Sequence, residues 1–345
     1  MFWLLCQKMV FGINLKFLAD DFQAVKKASF PDFEPCKTLI LSYSYHKITI
    51  KKMAENKLIT AIIQQEWLGE IGEKLRPAVL DTFKAGGTAG TKIKNFLHGT
   101  WLGHPLHPII TDVPVGAWTA SAVLDGLEFL GKDKYKSGSD AAIAIGLVGA
   151  VGSAVTGLTD WSGTTKKKQK IGLMHGMLNL GATALYTTSY VLRRKKKERG
   201  TAIALAMLGY GITSLAAYLG GHLVYAEQVG VDHTAISAEY PQDFVAVLPE
   251  ADLADNSMKA AKAGEIAVLL AKKNGEIFAL ANTCSHLGGP LCDGELKDDC
   301  SVVCPWHHST FSLKDGSVIS GPATEPQPKF DVRVNAGQIE VKLAK

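Results

Sequence analysis

The chain has 345 residues, enough for more than one domain, and 20% of them are charged, with a formal net charge of only +4. So small an excess excludes a strongly basic nucleic-acid surface, and we predict no nucleic-acid partner. The hydrophobic content of 47% is unevenly spread: long apolar stretches lie within residues 109–225, and short alternating runs within residues 242–345. We therefore predict a multi-domain chain, with a four-helix transmembrane bundle followed by an all-β domain.

The first part of the chain shows no sustained periodicity before Met53. Residues 1–52 are therefore interpreted as a gene-model extension or a disordered segment. Residues 53–103 read as an amphipathic N-terminal segment, because apolar residues recur at helical spacing from Ile59 to Phe83, around Pro77. Such a helix either lies on a membrane surface or packs against the protein itself.

Four candidate membrane spans fall within a domain at residues 104–226, at about 109–130, 140–159, 171–192 and 201–225. Each is close to the roughly 20 residues that cross the hydrocarbon of a bilayer. The second span repeats small residues at four-residue steps, which lets helix backbones approach closely in lipid. A very apolar soluble helical domain is the alternative, but the Lys- and Arg-rich loops between the stretches favour a multi-pass protein of a bacterial plasma membrane.

Histidines of this domain gather toward one face of the predicted bundle. They are His104, His107, His175 and His222. Ionisable residues inside a bilayer are costly and usually mark function. Four imidazoles in one leaflet could ligate a haem b or line a quinone pocket. The alternative is that they are interfacial histidines that hydrogen-bond to the backbone of loops.

The stretch "HPLHPIITDVPVGAW", followed by "GLTDW", resembles an uncharacterised family of four-span bacterial membrane domains over about residues 98–226. That resemblance implies no chemistry. Loops 131–139 and 193–200 carry nine Lys or Arg, against six on the opposite face. This count favours placing the C-terminal region on the non-cytoplasmic face.

After a linker at about residues 227–241, the pattern changes to short alternating runs. They are "DFVAVL", "EIAVLLAKK", "EIFALAN", "FDVRV" and "QIEVKL". Turn signals separate some of them, at Asn274-Gly275, Asp315-Gly316 and Ala336-Gly337. The pattern predicts a small antiparallel β sandwich or barrel at residues 242–345, with metal ligands on its loops.

Two stretches of this region combine cysteine with histidine. "CSHLGGPL" contains Cys284 and His286, and "CPWHHSTF" contains Cys304 and His307, with seventeen residues between the two pairs. Two cysteines and two histidines also suit a structural zinc. However, one of each type in each loop suits a [2Fe–2S] cluster, in which both thiolates hold one iron and both imidazoles hold the other.

This paired pattern resembles the Rieske family, and about residues 242–343 resemble Rieske ferredoxin-type domains. The resemblance implies that Cys284 and Cys304 bind the inner iron, and that His286 and His307 bind the outer, exposed one. It also implies surroundings for the cluster: Gly321 and Pro322 match the covering loop, and Ser309 stands where a serine hydrogen-bonds a cluster sulfur, which raises the potential.

The sequence departs from the family pattern in two places. Quinol-oxidising members carry a disulfide between the two loops, and its positions are held here by Gly289 and Trp306. The domain therefore resembles the ferredoxin and oxygenase branch, whose potentials are lower. His308 occupies a place often held by glycine, and we do not predict it to be a ligand. Cys292 and Cys300 are interpreted as ordinary thiols, although the sequence leaves a disulfide between them open.

Together these features predict a membrane-anchored protein that transfers one electron at a time through a Rieske cluster and exchanges electrons with haem or quinone at the membrane histidines. The sequence shows no mononuclear-iron triad, so we expect an electron-transfer component with no catalytic residue rather than a complete enzyme. The expected partners are the lipid bilayer and a redox protein or quinone. Two alternatives are a redox sensor and a ferredoxin-like donor to a separate oxygenase, each with the membrane domain as an anchor.

Overall fold

A computed structural model describes residues 57–344, apart from positions 132, 196–197 and 235–238. The interpretation of residues 1–52 therefore lies outside the described residues. In the described part, seven α-helices come first and ten β-strands follow, so a helical region precedes an all-β domain.

Three helices precede the long apolar ones: α1 (Lys57–Ile63), α2 (Glu66–Ala85) and α3 (Gly87–His98). The predicted helix around Pro77 is confirmed as α2, but the helical stretch is interrupted at residues 64–65. Leu68 of α2 is fully buried and packs in one core with Ile171 and Leu219. Of the two placements expected for this segment, the described contacts are those of packing against the protein itself.

The helical region continues with four long helices: α4 (His107–Phe129), α5 (Lys136–Ser162), α6 (Lys166–Arg194) and α7 (Arg199–Tyr225). Consecutive helices pack as two hairpins, α4 with α5 and α6 with α7. Within the described residues, α5 and α7 are long and apolar enough to cross a membrane, with mean hydropathies of 2.0 and 1.7. Helix α6 is less apolar because it begins with three lysines and ends with two arginines.

Small residues bring these helices together. A Cβ added at Gly146 of α5 would lie 2.2 Å from Nε1 of Trp118, so only glycine admits this ring. The ring of Trp118 in turn stacks on Tyr186, with centroids 4.0 Å apart. Large apolar side chains face outward on all four helices, among them Val123, Val148, Leu180 and Leu208. Small residues inside and large apolar residues outside are typical of helices that pack in lipid.

Buried charges tie the helices together where α4 and α6 end. The Arg193 side chain is fully buried and donates to both carboxylate oxygens of Asp125, at 2.8 and 2.5 Å. Arg199 pairs with Glu128 at 2.6 Å. Both arginines were counted among the nine basic loop residues that orient the chain. Both lie in helices and are paired with carboxylates, but so is Lys167 on the opposite face, which pairs with Glu227 at 2.6 Å. Leaving out all three changes the count to seven against five, so the excess that favours a non-cytoplasmic C-terminal region is two residues instead of three.

The β domain contains ten strands: β1 (Val245–Pro249), β2 (Ser257–Ala263), β3 (Ile266–Lys273), β4 (Glu276–Ala281), β5 (Glu295–Leu296), β6 (Ser301–Val303), β7 (Thr310–Ser312), β8 (Val318–Ser320), β9 (Lys329–Asn335) and β10 (Gln338–Leu343). They form a six-stranded antiparallel sheet in the order β1-β10-β9-β4-β3-β2 and a four-stranded sheet in the order β5-β6-β7-β8. The five runs predicted from alternation are confirmed as β1, β3, β4, β9 and β10. The second sheet was not predicted, because its strands have only two or three residues.

Alternate residues of β3 enter two different cores. Val268 and Leu270 pack with Phe330 on one face of the six-stranded sheet. Leu269 packs on the other side, in the core that also contains Cys284 and Cys304. The two loops that follow β4 and β6 are therefore anchored by their cysteines in the core that lies between the sheets.

A candidate metal centre facing the helical region

The two loops that combine cysteine with histidine are closed in the same way. In the first loop, the Cys284 N–H donates to the Gly289 carbonyl at 2.8 Å. In the second, the Cys304 N–H donates to the Ser309 carbonyl at 2.8 Å, and the His308 N–H donates to the Cys304 carbonyl at 3.1 Å. Each loop is thus a tight turn around its cysteine, which holds the following histidine at a defined position.

The two cysteines lie side by side in the interior. Each is 1% exposed, and both are free thiols. A hydrogen bond between the thiols raises the pKa of Cys284 and lowers that of Cys304. The Cys304 sulfur therefore loses its proton first, which is the form that binds a metal.

The two histidines lie together at the edge of the same site. The rings of His286 and His307 meet edge to face, with centroids 5.0 Å apart. Burial lowers the pKa of both imidazoles, that of His307 to about 4. Both are therefore neutral near pH 7, as a metal ligand must be. The Nδ1 atom of His286 is buried without a hydrogen-bond partner.

These four side chains form two pairs of donors. In the described part of the chain, no three His, Cys, Asp or Glu side chains are arranged around one point as a single metal ion requires. A [2Fe–2S] cluster instead takes two protein ligands on each iron, which the thiol pair and the imidazole pair supply. A buried nitrogen without a partner is rare in a folded protein, and a bound metal would satisfy that of His286. The donor set therefore fits the cluster.

The predicted surroundings of the cluster also lie next to these loops. Ser309 is fully buried, and its hydroxyl accepts a hydrogen bond from the Ala323 N–H at 2.9 Å, which leaves its own proton to donate. A Cβ added at Gly321 would lie 3.1 Å from the His98 ring, and the Pro322 ring packs on Gly163. The covering loop thus lies between the cluster site and the helical region.

Gly289 and Trp306 face each other across the two loops. A Cβ added at Gly289 would lie 3.0 Å from the Trp306 ring. The indole therefore occupies the space that a side chain at position 289 would need. These are the two positions at which quinol-oxidising members of the family are expected to carry the disulfide between the loops.

The other departures from the family pattern also have a structural explanation. His308 has a φ of 63°, in the left-handed region, a conformation that suits the glycine of the family pattern. Its side chain is exposed. Cys292 and Cys300 are free thiols, so the disulfide that the sequence left open is not formed.

The face of the β domain that carries these loops is turned toward the helices. The described residues from Lys57 onward form one compact unit. The Ser285 carbonyl accepts from the His233 N–H at 2.9 Å. Asn95 of α3 makes two hydrogen bonds to the backbone of the covering loop. Its Nδ2 donates to the Ile319 carbonyl at 2.9 Å, and its Oδ1 accepts from the Gly321 N–H at 3.0 Å. The site therefore docks on the helical region of its own chain.

Three residues at this contact were missed in the sequence. Lys94 donates to the Gly321 carbonyl at 2.8 Å, next to Asn95. His98 is 2% exposed, and its Nδ1 lies 2.8 Å from the Asp160 carboxylate. The signal that could have found them is their spacing in "KIKNFLHGT", which places all three on one face of a helix.

The structure brings two of the four membrane histidines together. The rings of His107 and His175 meet edge to face, with centroids 6.4 Å apart. Nδ1 of His107 lies 3.2 Å from the Thr156 hydroxyl, and His175 contacts the Ala216 carbonyl and Asn179.

The other two membrane histidines make separate contacts. His104 is exposed, and its Nδ1 lies 3.1 Å from the carbonyl of Pro105. Nε2 of His222 lies 3.3 Å from a Glu227 oxygen, which is within ion-pair distance but outside hydrogen-bond geometry. The pocket expected from four imidazoles therefore reduces to the pair His107 and His175.

Two family models match the chain. Residues 243–331 match the family described as the Rieske [2Fe-2S] domain. Residues 103–233 match the family described as Predicted membrane protein (DUF2231). The two matches follow one another along the chain in the order of the helical region and the β domain.

Curated relatives match parts of the chain. Apoptosis-inducing factor 3 of Homo sapiens is 35% identical over 156 residues, and the match covers 44% of this chain and 25% of that protein. The 3-phenylpropionate/cinnamic acid dioxygenase ferredoxin subunit of Escherichia coli (strain K12) is 37% identical over 76 residues, covering 22% of this chain and 72% of the subunit. Among solved structures, the ferredoxin of carbazole 1,9a-dioxygenase from Nocardioides aromaticivorans IC177 is 24% identical, covers 29% of this chain and 98% of that chain, and has a TM-score of 0.28.

Proposed function

The chain belongs, through its C-terminal domain, to the Rieske [2Fe-2S] family, and we propose that it is a membrane-anchored electron-transfer protein in which Cys284, Cys304, His286 and His307 hold the cluster. When bound, the cluster supplies a centre that takes up and releases one electron at a time. Ser309 would donate its free proton toward this centre, and Gly321 and Pro322 would cover it. We place the domains at 53–103, 104–226 and 242–345.

The observation that carries this proposal is the direction in which the imidazole edge faces. The loop of His286 is bonded to the backbone of His233, which follows the last long helix. His307 borders a cleft together with Arg76 and His98 of the helical region. Rather than leaving the imidazoles open to any soluble partner, the chain holds them against its own helices. We infer that electrons pass between the β domain and the helical region of one polypeptide.

We propose further that all four long helices cross the membrane, which makes this a multi-pass protein of a bacterial plasma membrane. Two helices have the required length and hydropathy. All four carry large exposed apolar side chains at mid-helix and pack through small ones, as expected of helices whose outer surface meets lipid. Exposed Trp67 and Trp101 lie on the segments flanking the bundle, where interfacial tryptophans are common.

The membrane-side redox partner would lie at His107 and His175. These imidazoles are adjacent, and each packs against a glycine of a neighbouring helix, Gly157 and Gly220 respectively. We propose that a haem b or a quinone binds there. Nε2 of His175 lies 3.2 Å from Nδ2 of Asn179, a contact that ligation of iron by this nitrogen would replace.

A second candidate function is suggested by the relatives. One of them is named as the ferredoxin subunit of a dioxygenase, and it is 37% identical to this chain over 76 residues. On this basis the β domain would donate electrons to a separate oxygenase, and the helical region would only anchor it. Trp306 and His308 are exposed beside the ligand loops and would meet such a partner first.

Purification of the intact chain in detergent separates these functions. The first function predicts two irons per chain, a Rieske-type spectrum, and reduction by a quinol or through a haem band, either of which is lost in His175→Ala. Asn335→Ala, in the β domain, is the control. The second function predicts the same iron content with no effect of His175→Ala, and reduction only by a soluble reductase. Absence of iron and of the Rieske spectrum would sink both.

A further inference from the structure

A cleft of about 320 Å³ opens beside His307, between the helical region and the β domain. Helices α2 and α3 form one wall, and the ligand loop with Pro322 forms the other. This volume lies at the lower end of the range for small-molecule sites. It is too small for a two-chain lipid, so an occupant would be a small molecule taken from water.

The charges that line the cleft are not balanced. Arg76 and Lys94 both border it, and within the described residues neither has a carboxylate within 4.0 Å. Its acidic residue, Asp81, is already bonded to Lys84 at 3.2 Å. A cation that is partly removed from water without a partner is costly, so this arrangement favours an anion in the cleft.

Both cations have hydrogen-bond donors to spare. Nε of Arg76 donates to the Ser162 carbonyl at 2.8 Å, which fixes the guanidinium and leaves its two terminal amino groups. Nζ of Lys94 donates to the Gly321 carbonyl at 2.8 Å and retains two further protons. Burial lowers the pKa of Lys94, which an anion nearby would restore. A planar guanidinium held in this way matches the geometry of a carboxylate.

Part of the lining is apolar. Pro77, Leu80 and Phe83 of α2 face the cleft, opposite Pro322. Such walls favour a ligand with an apolar body attached to its charged group. Inorganic phosphate would satisfy the cations but would leave these walls in contact with water.

We propose that this cleft binds a small organic carboxylate, with an aromatic or short aliphatic body, beside His307. Arg76 and Lys94 hold the carboxylate, and the apolar residues of α2 with Pro322 enclose the body. Only the predicted effect on the reduction potential rests on the proposed function, because the carboxylate can bind whether or not the chain transfers electrons. An anion there opposes the added negative charge of reduction, so the oxidised chain binds it more tightly than the reduced chain. By reciprocity, the bound ligand lowers the equilibrium constant for reduction of the cluster by the same factor, and the reduction potential falls accordingly.

The test is equilibrium binding of benzoate to the intact chain in zwitterionic detergent, with benzamide as the neutral analogue of the same shape. We expect benzoate to bind and benzamide to bind at least about tenfold more weakly, because a hydrogen bond to a charged group is stronger than a neutral one. Arg76→Gln should weaken benzoate binding by about tenfold or more. Lys74→Gln removes the same charge from the exposed side of the same helix and should leave binding unchanged.

Arg76→Lys covers the case in which the Gln variant folds poorly, because it keeps the charge while losing the planar fork. It should bind benzoate more tightly than Arg76→Gln. Equal binding of benzoate and benzamide, or equal affinities of the Arg76→Gln and Lys74→Gln variants, would overturn the proposal. So would an unchanged midpoint potential in the presence of saturating benzoate. Iron analysis of the same sample reports the cluster separately, so a failure of the proposed function is recognised independently.

Discussion

Two groups of buried polar side chains in this molecule differ in how they are satisfied. Where α4 and α6 end, the buried guanidinium of Arg193 has a protein partner at every nitrogen: Nε donates to Ser189, and the other two donate to Asp125, Ser139 and Asp140. In the loops of the β domain, the thiols of Cys284 and Cys304 bond to one another and to backbone N–H groups of their own loops, whereas Nδ1 of His286 has no partner.

The difference separates a structural network from a candidate site. A buried polar network whose members are all paired needs nothing further, and it fixes the positions of the elements that carry it. A buried group that is left unpaired is costly, and each one needs a physical explanation. The Arg193 network holds the helices together, whereas the unpaired Nδ1 of His286 is an atom that the proposed cluster would satisfy.

The largest effect is expected from removing one of the two thiols. Cys284→Ser should abolish the cluster, because the inner iron would be left with one thiolate. Iron per chain should fall from about two to near zero, and the visible bands should vanish. Cys292→Ser is the matched control, since Cys292 is also a free thiol in the same domain. A Cys292→Ser variant that loses iron while Cys284→Ser retains it would reverse the comparison.

Removing the centre of the helical network should be the next largest effect. Arg193→Ala leaves the carboxylate of Asp125 buried without its cation, although the hydrogen bond from Ser139 remains, and this should lower the free energy of unfolding by about 3–5 kcal/mol. Thermal unfolding in detergent measures it, with the exposed neighbour variant Arg194→Ala as the control. Iron content should not change, because the cluster site is elsewhere. Equal melting temperatures for the two variants would show that the network is not structural.

A smaller effect is expected at the contact that joins the two regions. Asn95→Ala removes both hydrogen bonds to the covering loop, which together stabilise the docked arrangement by about 2 kcal/mol. Hydrogen exchange at the Gly321 amide should therefore accelerate. Asn95→Asp keeps the acceptor for this amide and should lose less of the protection. Unchanged exchange in Asn95→Ala would mean that these two hydrogen bonds do not hold the loop.

The smallest effect concerns the hydroxyl next to the ligand loop. Ser309→Ala should leave the iron content unchanged but lower the midpoint potential of the cluster, because the donor that stabilises the reduced form is lost. Redox titration followed by circular dichroism measures it. Ser312→Ala, in strand β7, removes a hydroxyl that accepts from the Lys314 N–H and serves as the control. A higher potential in Ser309→Ala would contradict the assigned role.

Local pattern was sufficient for much of this protein. Alternation predicted five strands, and all five are present. The signal is strong in β3 because side chains on its opposite faces enter separate cores. The apolar stretches predicted the four long helices, and the spacing of cysteine and histidine predicted the two loops that the structure places together. In each case the signal lies within a few residues of the chain, or in two short motifs whose chemistry requires each other.

The contacts between separate helices and loops could not be predicted from the sequence. Arg193 looked like part of a basic loop, but its partner Asp125 lies 68 residues away. The four membrane histidines were expected to act together, yet only His107 and His175 meet in the part of the chain that the structure describes.

By itself, the sequence determined which side chains could hold a metal, because ligand chemistry depends on residue type and local spacing. Only the tertiary structure decided which way the two loops with cysteine and histidine face, because Asn95 is hydrogen-bonded to Gly321, 226 positions away along the chain. It also decided where the cations without partners collect, at Arg76 and Lys94 beside His307. Such contacts depend on how separate elements pack, and no local pattern records them.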